Sequence, residues 1–257
     1  MKKTQIILLC AGILAFITAG ISIVNPDVYQ DFVDPDYIAE SIGQDIITLI
    51  AAGFVIIISL CFKKASSRLR LTGLGLLIYL AYAYAIYAFG GVYNILFFNY
   101  IAILGLSVFG SFYLATDSLY KIREEEGNTK HRGKFAKTTA VFLSVTVILL
   151  GMIWITSAAE HIANHTKARE TVIYVLDLSL ILPLFSVSAI TLFRRKTEGW
   201  YLGVVTMVKA LTIGLSIVTG QLVKYFRGLE MDWFLVILFG TFTISALIIN
   251  IIMKPEL

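Results

Sequence analysis

The sequence has little charge. Of its 257 residues, 15% are charged and 58% are hydrophobic, whereas an ordinary soluble domain carries about 25% charge. A soluble chain of this length must still cover its core with polar groups. Too few charges are present for that, so soluble and disordered classes are excluded. Cysteine is also scarce. Cys10 and Cys61 are the only two, with no CxxC pair, which excludes a disulfide framework or redox motif. Both lie in apolar runs, where a free thiol is expected to pack as a small buried hydrophobe. Only three histidines are present, too few for a histidine-rich di-iron site. No glycine-rich phosphate loop occurs.

Long apolar runs are what the chain does have. A membrane-spanning helix needs about 20 apolar residues. Eight stretches qualify: 5–24, 46–62, 71–89, 93–115, 138–157, 171–193, 200–219 and 233–252. The expected fold class is all-α, a polytopic helical bundle of eight spans. Charge between the runs sets its orientation. Lys2, Lys3, Lys63, Lys64, Arg68, Arg70, Lys121, Arg123, Lys130, Arg132, Lys134, Lys137, Arg194, Arg195, Lys196 and Lys254 all fall on one side. The other side has Lys167, Arg169, Lys224 and Arg227, and it collects the acids Asp27, Asp31, Asp34, Asp36, Glu40, Asp45, Glu160, Glu170, Glu230 and Asp232. The positive-inside rule then places both termini in the cytoplasm. The net charge of +4 is a topology signal, and no nucleic-acid partner is expected. Lys2 and Lys3 before an apolar run also suit a signal peptide, but the run is long and no A-x-A site follows, so a retained first span is expected. Trp200, Tyr201, Trp154 and Trp233 sit at expected span ends and read as interfacial anchors.

The chain reads as one integral membrane domain, 1–257. It also has a possible pseudo-repeat, with halves 1–116 and 138–257 joined by the cytoplasmic loop 117–137. Asp45 and Asp177 each precede a basic span end, at Phe62-Lys63-Lys64 and Phe193-Arg194-Arg195. Equal span numbers give both halves one orientation, as in parallel-repeat transporters.

Ionisable groups inside a span cost about 2.5–3.5 kcal/mol at its centre on insertion scales. Two lie inside these runs, Asp177 and Lys209. Their spans are joined by a short turn, and a snorkelling lysine could approach the aspartate, so an Asp–Lys pair is expected. Helical spacing puts Thr206, Lys209, Thr212, Ser216 and Gly220 on one face, and Glu170, Tyr174 and Asp177 on another. Pro183 removes a backbone N–H and predicts a kink. Tyr79, Tyr82, Tyr84 and Tyr87 come from the third span, with Asp45, Asn94, Glu160, His161 and His165 at the outer rim. Together they predict a polar cavity floored by Lys209. The competing reading is an ion pair that only sets helix register, with the tyrosines as packing.

No cofactor or metal is expected. His161 and His165 have i, i+4 spacing but lack the HExxH glutamate placement. Lys209 lacks an acid four residues earlier (Val205 is there), which argues against a retinal-type Schiff base.

Gly43-Gln44-Asp45, the run Leu80 to Ala88, Val175-Leu176-Asp177-Leu178-Ser179-Leu180 with Pro183, and Gly199-Trp200-Tyr201-Leu202-Gly203 before Val208-Lys209 form a pattern. It resembles an uncharacterised family of bacterial multi-pass membrane proteins. The resemblance covers the second to seventh spans and implies a bacterial plasma membrane, with no activity attached. The leading expectation is a small permease or proton-coupled transporter for an unknown small molecule or ion. The alternatives are a membrane sensor or partner-binding subunit, working through segments 25–45 and 117–137, and an intramembrane enzyme using the same Asp–Lys pair. A homo-oligomer or a membrane partner protein is compatible with each.

Overall fold

The computed structural model describes residues 2–30, 34–125 and 133–252. Asp31, Lys130, Arg132 and Lys254 lie outside the described residues, as do the side chains of Asp36, Lys121, Arg123 and Lys134. The described residues are all-helical, with no strand. The helices are α1 (Lys2–Val24), α2 (Pro35–Leu60), α3 (Ser67–Phe89), α4 (Phe97–Glu125), α5 (Gly133–Ala163), α6 (Thr171–Leu176), α7 (Leu182–Phe193), α8 (Thr197–Phe226) and α9 (Trp233–Ile252). A π-turn, Asp177–Ile181, joins α6 to α7, so these three pieces form one span, Thr171–Phe193. Eight helical segments are long and apolar enough to cross a membrane. This is a multi-pass membrane protein.

Local chemistry explains several helix ends. Asp34 precedes Pro35 at the first position of α2, where a missing N–H costs nothing. Ser66 caps α3 by accepting the Leu69 N–H at 3.3 Å. Gly228, at φ +73°, follows α8 in the left-handed conformation that glycine tolerates.

The second span begins earlier than the hydropathy pattern predicts. Acids between 34 and 45 break the apolar run, yet α2 extends through them as a continuous helix. A short 3₁₀ turn, Pro26–Tyr29, also precedes it. The described residues of the segment 25–45 are therefore largely helical rather than an open acidic loop.

The chain divides into two compact units. One comprises Met1–Thr129 and Met207–Leu257; the other is Lys130–Thr206. The boundary falls inside α8, and these units follow different limits from the sequence halves.

In the first unit, α1 packs on α2 and α4, and α3 packs on α4 and α2. Glycines permit the tightest approaches. A Cβ on Gly12 would stand 2.8 Å from Ile56 Cγ1 and 3.2 Å from the Ala52 carbonyl. A Cβ on Gly43 would stand 2.2 Å from the Gly220 backbone nitrogen, so α2 and α8 cross there with backbone on backbone. Small residues at such crossings are a hallmark of helix packing in lipid. Glu40 and Lys224 form an ion pair one turn outward, at 2.7 Å. Large apolar side chains such as Ile6, Phe54 and Ile237 point outward and suit a lipid-facing surface.

In the second unit, α5 packs on α7. The first turn of α8 lies against the end of α7, where a Cβ on Gly199 would meet the Thr191 carbonyl carbon at 2.5 Å.

Three expectations need correction. Cys10 and Cys61 are exposed, Cys10 on an outward-facing side of α1 and Cys61 in the turn that ends α2. Trp200 and Tyr201 are buried rather than placed as interfacial anchors. Trp154 has a specific polar partner, described below.

Candidate functional site

Ionisable and hydroxyl side chains gather at membrane depth in both units. In the first unit the centre is Asp45. The sequence pattern put it at the rim, because the apolar run begins just after it. In the structure it lies eight residues inside the span that begins at Tyr37, about 12 Å along the axis at the usual helical rise. It is 1% exposed. Tyr29, on the 3₁₀ turn, donates to its Oδ2 at 2.6 Å. Tyr87 donates to its Oδ1 at 3.3 Å and also lies 3.3 Å from the Ser41 carbonyl. Among the described residues Asp45 makes no ion pair.

Four tyrosine rings pack around these groups. Tyr29 stacks on Tyr87 with centroids 5.7 Å apart, and Tyr87 lies 5.1 Å from Tyr100. Tyr84 touches both Tyr87 and Tyr100, at 6.0 and 5.9 Å. Its hydroxyl donates to the Ala15 carbonyl at 3.2 Å, so it fastens α3 to α1. Asn94 donates to the Tyr100 hydroxyl at 3.0 Å and to the Val28 carbonyl at 2.9 Å. Burial, then the adjacent Asp45 carboxylate, holds the Tyr29 phenol well above its ordinary range. Tyr29 is thus a persistent donor.

Lys209 lies deeper in the first unit and is fully buried. Its Nζ is 3.5 Å from the Tyr82 ring centroid and 5.5 Å from that of Tyr79. Such cation–π contact stabilises a desolvated ammonium by about 2 kcal/mol. The Tyr79 hydroxyl lies 2.8 Å from Ser216 Oγ and 3.1 Å from Thr48 Oγ1. Thr212 is buried, but its hydroxyl returns to the Val208 carbonyl on its own helix at 3.0 Å.

In the second unit Asp177 opens the π-turn. The Leu182 N–H reaches the Asp177 carbonyl, five residues back, which is the π pattern. This wide turn accommodates Pro183 without ending the span. The Asp177 side chain is buried, and its Oδ2 accepts the Trp154 indole N–H at 2.8 Å. The Tyr174 ring lies tilted against Trp154 with centroids 5.3 Å apart, and its hydroxyl lies 2.8 Å from Ser157 Oγ. The fully buried Thr206 hydroxyl donates to the Leu202 carbonyl at 2.8 Å and lies 3.2 Å from Ser188 Oγ.

Asp45, Tyr84, Tyr87, Lys209, Thr212 and Ser216 thus belong to the first unit, and Tyr174, Asp177 and Thr206 to the second. Sequence reasoning missed Tyr29 and Trp154 as partners of the acids, and Tyr100 as part of the ring cluster. Tyr29 lies in a non-membrane turn, and Trp154 resembled an interface anchor. The spacing of Trp154 and Asp177 in separate helices offered no signal.

His161 Nδ1 lies 2.8 Å from Thr166 Oγ1 at an exposed helix end. Among the described residues no three His, Cys, Asp or Glu side chains form a metal-binding group. No family model matches the chain, and comparisons with curated proteins and with solved structures find no match either.

Proposed function

We propose that this chain is a small permease or proton-coupled transporter of a bacterial plasma membrane. Asp177 exchanges the proton, and Lys209 binds an anionic group of the substrate. The observation that carries this reading is the burial of Asp177 and Lys209 within apolar spans. Intramembrane charges are expensive to insert and usually serve ion or substrate pathways. The local chemistry supports the assignment. An indole N–H stabilises the Asp177 carboxyl oxygen, and two phenol rings accommodate the Lys209 ammonium. Each group thus has neighbours that stabilise its charged form within an apolar span. The bacterial setting rests on the family resemblance, and the bound neighbour is the lipid bilayer.

The test is uptake into proteoliposomes under an imposed proton gradient, read with an internal pH dye. Candidate small molecules and ions would be added in turn. Asp177→Asn is expected to abolish coupled uptake, and Lys209→Met to abolish it or raise the substrate KM. Full transport of an identified substrate by both variants would end the proposal.

A further inference from the structure

The structure assigns a second chemistry to Asp45: we propose that it holds an exchangeable proton, read out through Tyr87 and the outer turn bearing Tyr29. This does not rest on a transport role for Asp177 or Lys209, and it stands whether or not the chain transports a solute.

The argument starts from charge compensation. A buried carboxylate in lipid needs a partner cation or a proton. Among the described residues Asp45 makes no ion pair. The basic groups of its unit that approach from α8 are engaged elsewhere. Lys224 lies 2.7 Å from Glu40, and Lys209 stands over the Tyr82 and Tyr79 rings. Among the described residues the titratable neighbours facing Asp45 are phenols: Tyr29 from the turn, Tyr79, Tyr84 and Tyr87 from α3, and Tyr100 from α4. α1 brings Ser22 to hydrogen-bond Asp45, and a serine hydroxyl does not ionise near neutrality. Phenols stabilise a carboxylate by hydrogen bonds but do not neutralise it. A bound proton neutralises Asp45 and finds hydrogen-bond partners in the phenols already around it.

The hydrogen bonds suit both protonation states. Tyr87 Oη lies 3.3 Å from Asp45 Oδ1 and equally 3.3 Å from the Ser41 carbonyl. With Asp45 ionised, the Tyr87 hydroxyl points at Oδ1. With Asp45 protonated, the acid donates to Tyr87 Oη, and Tyr87 turns its own hydrogen to Ser41. A hydroxyl has one donor and two acceptor sites, so this rotation satisfies every group in each state. Tyr29 donates to Oδ2 at 2.6 Å and belongs to the turn Pro26–Tyr29, outside the spans. A charge-assisted bond to Tyr29 is stronger than a neutral one. Loss of the proton therefore tightens the turn onto α2, and its gain loosens it.

Two measurements test this on the full chain in lipid. In the first, a hydrophobic carbodiimide is added across the range from about pH 4 to pH 10, the reference interval from carboxylate to phenol. Labelled peptides are mapped by mass spectrometry. Labelling at Asp45 that falls as pH rises supports the proposal. No labelling at Asp45, or labelling indifferent to pH but blocked by sodium ions alone, overturns it. In the second, pH-difference infrared spectra should contain a protonated-carboxyl band that disappears in Asp45→Asn and shifts in Tyr29→Phe. The band must survive in Asp177→Asn, which separates this site from the transport proposal. A band unchanged in Asp45→Asn refutes the assignment. If Asp45→Asn does not fold, the band shift in Tyr29→Phe and Tyr87→Phe and the wild-type labelling decide the matter.

Discussion

Replacing Gly43 by alanine puts a methyl group where another backbone already stands. The new Cβ would lie 2.2 Å from the Gly220 nitrogen, 2.3 Å from its Cα and 2.7 Å from the Thr219 carbonyl carbon. Comfortable carbon contacts begin near 3.5 Å, so α2 and α8 must part by about 1.3 Å. No flexible side chain can yield instead, because all three atoms are backbone. Overpacking costs about 1–3 kcal/mol, and this site belongs at the top of that range. Alanine regains about 1 kcal/mol of helix propensity. The net loss is about 2 kcal/mol, a factor of roughly 30 in the folded fraction. Gly220→Ala is the internal comparison. Its Cβ would meet Glu40 Cα at 3.1 Å, requiring a shift of only about 0.4 Å, so it should be close to neutral. Gly105→Ala has nothing within 4 Å and should be neutral or stabilising by up to about 1 kcal/mol. The assay is unfolding by sodium dodecyl sulfate in mixed micelles, followed by circular dichroism. Equal stability of Gly43→Ala and Gly105→Ala would refute the close crossing.

Two further outcomes follow from the same geometry. Trp154→Phe keeps the ring contact with Tyr174 but removes the N–H that Asp177 accepts at 2.8 Å; it should cost about 1.5–3 kcal/mol. In an Asp177→Leu background the same change should cost far less, and an equal cost in that double-mutant cycle would dismiss the hydrogen bond. Tyr29 carries an alkaline signature. Its folded phenol lies above the ordinary value of about 10, so its contribution is complete below that pH. Above it the unfolded chain releases the proton first, and stability declines until the folded phenol also ionises. Tyr29→Phe should reduce the slope of that alkaline decline in a pH series of unfolding curves, and an unchanged slope would contradict the assignment.

The membrane architecture was legible because apolar transfer is local. Each run from 5–24 to 233–252 is long enough by itself, and no knowledge of its neighbours is needed. The same local logic misplaced Asp45. An acid within the first turns of a run looks like its border, so the pattern began that span at 46, while the helix begins at Pro35. Tyr84 and Tyr87 stood out by their density, but a tyrosine-rich helix face reads equally as packing. Their separate tasks, an α1 carbonyl for Tyr84 and the Asp45 carboxylate for Tyr87, depend on which helices lie opposite.

The sequence by itself determined that this is a multi-pass membrane protein, which eight segments are long and apolar enough to cross the bilayer, and which of their ends carry most of the basic charge. Those properties are sums over neighbouring residues. Only the tertiary structure decided that Asp45 is enclosed by tyrosines from a turn and two other helices, that Asp177 meets Trp154, and that Gly43 touches Gly220. Each of those contacts joins segments distant in the chain. Helix packing creates them, and no spacing along one segment encodes them.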